Sequence, residues 1–355
     1  MRSSAHAVAT LAATGIAVAV CVMGLSSCYL TAQGSRYLGI LAGAQPIAKA
    51  LADPDTDLAT KSLLEKAAEV RRFAVEKIGL KDTKSYRSIA KVEGTTLSHV
   101  VQACPELSFD RYLWSYPFVG KLPYKGFFDQ ADAKKEAARL KQQGYDVIVR
   151  NSDAFSSLGY LPDPLFSFMV AYDENRLADL LIHEMTHATI FVRGAGAGAF
   201  NEELATFVGR QGALDFLAAK YGRESESFRQ ALAAEVDAVA FSTYLRETAR
   251  KLEVLYGSDL SIEEKRAGKT RIIAERAEEF ARVAPGLFSN PGYARYPMDK
   301  IDNALLDLYR LYEGQPERYR VYYEKECDSD LAIFVARLRA TKDPIKTLSS
   351  GALSR

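Results

Sequence analysis

The sequence predicts an α+β fold that is mostly helical, with a small sheet and a helical C-terminal part. Two observations carry this. Apolar residues recur at helical spacing through most of the chain, most clearly in 58–78, 131–143, 177–190 and 224–284. Runs with β propensity are short and fall almost entirely between residues 91 and 150.

The 355 residues carry 46 Lys and Arg against 45 Asp and Glu, a net charge of +1. That balance gives no footprint for a nucleic-acid partner. The length suits a body with a substantial core in one or two domains. Arg2 precedes an apolar stretch, Leu11 to Leu25, that is short for a spanning helix and ends in Leu25-Ser26-Ser27-Cys28. This resembles a bacterial lipobox, which implies removal of residues 1–27 as a lipoprotein signal peptide and lipidation of Cys28. Cys21 fits less well, because bulky Val20 precedes it. A plain signal peptide or an uncleaved anchor is the alternative. Tyr29 rather than Asp follows Cys28, so the inner-membrane retention signal of many Gram-negative lipoproteins is absent. The expected location is the cell envelope, lipid-anchored to the outer membrane and facing the periplasm. Cys104 and Cys327 are then the remaining thiols, and whether they pair is open.

After Cys28 a tether leads into a helix, which Pro46 to Ala52 continues. Asp53-Pro54-Asp55-Thr56 is a turn with N-cap candidates, and Leu58 to Ile78 is an amphipathic helix closed by Gly79. Lys91 to Glu106 reads as a strand region. Tyr112 to Phe128 is aromatic and β-prone, broken by a turn at Pro123. Ala131 to Gln143 is a helix stopped by Gly144, and Tyr145 to Arg150 is a strand. These elements form a helical and mixed region over 28–144 and begin a core over 145–221.

That core centres on Leu181-Ile182-His183-Glu184-Met185-Thr186-His187. Positions i and i+4 of a helix share a face, so His183 and His187 can direct two imidazoles at one metal. Glu184, one step round, can reach a water on that metal without ligating it. The chain has four histidines, His6 lies in the leader, and this motif uses two of the remaining three. The apolar run Leu177, Leu180, Leu181, Met185, Ala188 and Ile190 buries the helix and brings the histidines near the core. A catalytic zinc needs three protein ligands and one open position, so a third ligand should follow. Phe200-Asn201-Glu202-Glu203-Leu204-Ala205-Thr206-Phe207 supplies it. This resembles the N-E-x-x-A-like motif of gluzincins, which implies a zincin-like metallopeptidase core, one Zn2+ per chain, and Glu202 as the third ligand. Glu203 is about 100° further round the helix and faces elsewhere. Ala205 is small enough for the two helices to approach. The Gly-rich stretch 193–199 ends the first helix and turns the chain back.

Between strand and zinc helix lies the polar, Gly- and Pro-punctuated stretch 151–165. In gluzincins an edge strand beside that helix binds extended peptide, which makes Ser156, Leu158 and Gly159 substrate-binding candidates. Region 222–340 is helical. Glu224 to Ala284 forms a charged hairpin broken at Gly257-Ser258-Asp259. Pro285 to Pro297 is a loop, Asp299 to Tyr312 a helix, and Arg318 to Arg339 the last helix. Residues 341–355 read as a tail.

The chain is also similar, along nearly its full length after Cys28, to a bacterial family of predicted aminopeptidases, usually lipoproteins. Arg72-Phe73-Ala74, Tyr124 to Phe128, Phe155 to Tyr160, Asp163-Pro164, His183 to His187, Phe200 to Phe207 and Asn303-Ala304 carry this resemblance. Family members usually have two asparagines before that Ala; here the first is Asp302. The resemblance makes Asn303 a further substrate-binding candidate.

The expected activity is zinc-dependent hydrolysis of peptide bonds by an aminopeptidase. A metal-bound water would attack, with Glu184 taking the proton and handing it to the leaving amine. Tyr293 and Tyr296 are candidates to contact substrate and steady the oxyanion; His99 has no motif around it. Thr206 or Asp179 could orient a zinc histidine. Asp153, Asp163, Asp173 or Glu174 could hold a substrate amine. A zinc endopeptidase and a non-catalytic envelope lipoprotein with a structural metal are the alternatives.

Overall fold

The computed structural model describes residues 33–116, 120–153, 161–194, 197–310 and 316–351. Helix α1 (33–42) leads into β1 (Gln45–Pro46), α2 (Ile47–Ala52) and α3 (Leu58–Glu76). Strands β2 (Ser88–Ala90), β3 (Ser98–Pro105), β4 (Trp114–Tyr116), β5 (Gly120–Leu122) and β6 (Lys125–Phe127) follow. Next come α4 (Gln130–Gln142), β7 (Tyr145–Ser152), β8 (Leu165–Phe166), α5 (Glu174–Thr189) and α6 (Ala197–Tyr221). The rest is α7 (Glu226–Tyr256), α8 (Ile262–Leu287), α9 (Pro291–Ala294), α10 (Asn303–Arg310), α11 (Pro316–Glu326), α12 (Leu331–Ala340) and α13 (Pro344–Gly351). The chain is thus mostly helical with small sheets.

The largest core joins α3, α5, α6 and the last three helices around Leu64, Leu181, Ile182, Leu204, Tyr319 and Phe334. A short sheet of order β1-β2-β8 packs into it and delivers the chain to α5. A second sheet, β6-β3-β7, is antiparallel throughout, with Val101 opposite Val149 and Lys125. Strand alternation turns Val101, Ala103 and Val147 onto α4, where they form a separate cluster with Leu140. Helices α7, α8 and α10 form the third cluster around Phe241, Phe280 and Leu306. Helix α10 packs on β3 and β7, so the helical C-terminal part braces the far end of that sheet.

Several boundaries differ from the sequence reading. The final helix is two, because Asp328 and Ser329 adopt φ of 52° and 56° and break the path between α11 and α12. The expected tail contains α13, which buries Leu348 completely. Helix α8 runs through Pro285, and the loop beyond it holds the short α9. Part of the Gly-rich linker is already the first turn of α6, which starts at Ala197. Cys104 and Cys327 are buried free thiols, one in β3 and one just after α11. No described helix is long and apolar enough to cross a membrane.

Candidate metal centre

Helix α5 is started by Asp173, whose side chain accepts from the Arg176 N–H at 2.7 Å. Its apolar face buries Leu177, Ala178, Leu181, Ile182 and Met185, and that phase carries His187 to 5 % exposure. His183 lies one turn back, and the two Nε2 atoms stand 3.2 Å apart. Helix α6 lies antiparallel against α5, and the two share the largest contact in the fold. Two glycines allow this approach. A Cβ on Gly209 would fall 2.5 Å from Asp179 Oδ1 and 3.1 Å from His183 Cβ, and one on Gly212 would fall 3.0 Å from Ile182. Ala205, the small residue noted in the sequence, is buried beside them on α6.

The turn between α5 and α6 is fixed by Asn201. Its Oδ1 accepts from the Val192 N–H at 2.9 Å and its Nδ2 donates to the Val192 carbonyl at 2.8 Å. This side chain completes both backbone groups of Val192 in the way a strand partner would, and its own amide is buried. Locked in that way, the second turn of α6 presents Glu202 to the histidines. Glu202 Oε2 lies 3.7 Å from His183 Nε2, and Oε1 lies 3.5 Å from His187 Nε2.

Among the described residues, these three form the one group of His, Cys, Asp or Glu close enough to hold an ion together, with all donor atoms within 4.8 Å. Tetrahedral zinc with bonds of about 2.0–2.2 Å needs ligand atoms roughly 3.3–3.6 Å apart. The two imidazole nitrogens stand 3.2 Å apart, and Glu202 offers each a different oxygen, Oε2 at 3.7 Å from His183 and Oε1 at 3.5 Å from His187, so the three side chains already crowd one point close to that spacing. His187 Nδ1 is buried and has no hydrogen-bond partner among the described residues. Both Nε2 atoms therefore converge on one point, and two nitrogens this close require a proton or a cation between them.

The electrostatics agree. Burial opposes charging of His183, but Glu202, Glu184 and Asp179 outweigh it and raise its pKa. Burial, then the charge of His183, lowers His187 to about 4. Glu202 is the open member, with its side chain 60 % exposed. Desolvation by the surrounding walls opposes its ionisation, yet His183, His187 and Arg150 hold it below the usual carboxylate range.

Glu184 points to a different neighbourhood. Its charge acts on the buried phenols of Tyr86 and Tyr37, both pushed up first by burial. Tyr37 donates to Asp163 Oδ1 at 2.5 Å, and Asp163 also receives the Ser85 hydroxyl at 3.5 Å. Tyr86 takes a left-handed φ of 58°, held by its N–H on the Asp163 carbonyl at 2.6 Å. A buried Tyr-Asp cluster therefore backs Glu184, and it explains Asp163 of the Asp163-Pro164 stretch. On the β6-β3-β7 sheet, Arg150 Nε donates to the buried Gln102 at 2.9 Å, on the sheet face opposite to Val101. Arg150 of β7 lowers the pKa of Glu202, and Glu202 in turn raises that of Tyr124, the residue just before β6, whose shift comes first from burial.

Other residues singled out in the sequence fall elsewhere. Asn303 is fully buried, and its Nδ2 donates to the carbonyls of Pro105, Glu106 and Ser108 at 3.0, 2.9 and 3.1 Å. Its Oδ1 accepts from Tyr256 at 2.9 Å. Asn303 ties α10 to the end of β3 and has no group left for substrate, which corrects that expectation. Asp302 caps α10 by accepting from the Leu305 N–H at 2.9 Å, a task that an Asn would also perform. Tyr293 and Tyr296 pack on Phe241 with ring centroids 5.0 and 4.9 Å away, and no described contact brings them to the histidines. Glu203 turns away as expected, pairing with Arg318 at 2.8 Å and Tyr319 at 3.1 Å. His99 bonds Asn151 at 3.1 Å. Thr206 makes no hydrogen bond to either histidine. Of the four acids considered for a substrate amine, Asp153 pairs with Arg176, Asp163 holds Tyr37, Asp173 caps α5, and Glu174 binds Lys220 and Tyr221. Ser156, Leu158, Gly159 and Cys28 lie outside the described residues.

A family model described as "Putative aminopeptidase" matches residues 28–348. No curated protein and no solved structure matches the chain.

Proposed function

The chain belongs to this aminopeptidase family, and on that premise we propose that it is a zinc-dependent peptidase whose metal is held by His183, His187 and Glu202. The observation that carries the proposal is the convergence of those three side chains at the spacing of zinc ligands. Zinc bound there would polarise a peptide carbonyl and acidify a water. Glu184 takes the proton from the attacking water and delivers it to the leaving amine. The Asp163, Tyr37 and Tyr86 cluster fixes the neighbourhood from which Glu184 acts. The exposed Glu202 side chain leaves the centre open to solvent, and β7, an edge strand whose Arg150 acts on Glu202, is where an extended peptide could lie.

The family supports an aminopeptidase. A zinc endopeptidase is the second reading, favoured by one observation: each of the four acids considered for a substrate amine already has a structural partner. Hydrolysis of matched peptides with free and acetylated N termini, with Glu184→Gln as the inactive control, separates the two. Cleavage of the free peptide alone supports the exopeptidase. Equal cleavage of both supports the endopeptidase, and cleavage of neither by zinc-loaded protein removes the peptidase reading.

For location, the family match begins at residue 28, the cysteine that the lipobox reading makes the first residue of the mature chain. We propose a lipid anchor at Cys28 in the cell envelope, on the outer membrane and facing the periplasm. Incorporation of labelled fatty acid into the wild type but not into Cys28→Ser tests it.

A further inference from the structure

The carboxylate of Asp179 stands one helical turn before His183 on α5, so both side chains leave the same face. Gly209 of α6 lies over the gap between them: its absent Cβ would sit 2.5 Å from Asp179 Oδ1 and 3.1 Å from His183 Cβ. Any other residue at 209 would fill the space that the two side chains share. Asp179 is half-buried and makes no hydrogen bond or ion pair among the described residues. Arg210, the cation whose charge acts most on Asp179, is engaged by Glu235 at 3.2 Å. The groups acting on Asp179 are burial, which raises its pKa, then Arg210 and His183, which lower it. His183 turns its Nε2 toward His187 and Glu202, which leaves Nδ1 as the nitrogen that carries the ring proton and needs an acceptor.

We propose that Asp179 is the positioning residue of the metal centre, accepting the Nδ1–H of His183 and holding that imidazole with Nε2 aimed at the ion. The proposal rests on the zinc reading of the site. Histidine ligands generally need such an outer partner to fix tautomer and ring orientation, and losing it weakens metal binding by about 10–100-fold. Here the partner comes from the ligand's own helix, and Gly209 is the residue that makes room for it.

The test is zinc affinity of the full chain, measured by competition with a chromophoric chelator, for the wild type, Asp179→Asn, Asp179→Ala and Gly209→Ala. The denaturation midpoint of each metal-free protein is measured alongside. The expected order is wild type, then Asp179→Asn, which keeps an acceptor oxygen, then Asp179→Ala at about 10–100-fold weaker. The midpoints of the two Asp179 variants should stay near that of the wild type. Gly209→Ala should weaken zinc in the same direction by crowding the gap. A second readout is the visible spectrum of the cobalt-substituted protein, which should change in Asp179→Ala as the His183 ring reorients. Wild-type affinity in Asp179→Ala, with an unchanged cobalt spectrum, overturns the role of Asp179 and leaves the zinc site standing. A wild type that binds no zinc overturns both.

Discussion

His183 and His187 place their Nε2 atoms 3.2 Å apart, one turn apart on α5, in a pocket where burial and each other's charge make it costly for both to be protonated. Burial opposes charge on His183, but Glu202, Glu184 and Asp179 raise its pKa, whereas burial and the charge of His183 lower that of His187. That relationship sets the behaviour of the centre.

It fixes the pH dependence. The His183 pKa is raised in the folded protein, so its charged form contributes stability below the ordinary histidine value of ~6.5. That contribution is lost as pH rises through the raised value. Metal needs His183 neutral, so zinc affinity falls as pH drops through the same range. His187, lowered to about 4, stays neutral throughout. The rise in melting temperature produced by zinc should therefore grow from pH 5.5 to pH 8. A constant increment across that range contradicts the assignment.

Glu184 should matter for turnover and not for metal. Glu184→Gln keeps the shape of the side chain and removes the base. Peptide hydrolysis should fall by about 10²–10⁴-fold. Zinc content measured on the same preparation should match the wild type.

Asn201 should link stability to metal binding. Asn201→Ala strands both backbone groups of Val192 at the α5–α6 turn. The expected loss is about 2 kcal/mol by chemical denaturation. Zinc affinity should also fall, because Glu202 follows directly on the loosened residue. Unchanged stability would show that water replaces the clamp.

Asn303 should behave as a structural residue. Asn303→Ala leaves three carbonyls at the end of β3 without their shared donor. The loss should be about 3 kcal/mol or more, with the KM of the surviving folded enzyme unchanged. A raised KM in a fully stable variant would restore the substrate-contact reading.

The site was legible where its logic is local. His183 and His187 need only helical spacing, and Glu202 needs only the next helix to return. The partition of the fold into a small sheet and long helices followed from apolar periodicity in the same way. What the sequence concealed depends on tertiary contact. Nothing around Gly209 distinguishes it from an ordinary helical glycine until α5 is laid against it. Asn201 looked like the neighbour of a ligand, and its work on Val192 is visible only once the turn is formed. Asn303 stands as a substrate-binding candidate on resemblance alone, because its three carbonyl partners lie almost two hundred residues away in sequence. The break between α11 and α12 carries no sequence signal, because Asp328 and Ser329 take the left-handed φ at which a glycine would announce a turn.

The central claim is that His183, His187 and Glu202 hold one zinc ion. Its most direct test is metal content by elemental analysis of the chain from Tyr29 onward, beside His187→Ala. The account predicts about one zinc per chain in the wild type and none in the variant. A wild type that stays metal-free after incubation with zinc, or a variant that retains the same zinc, contradicts it.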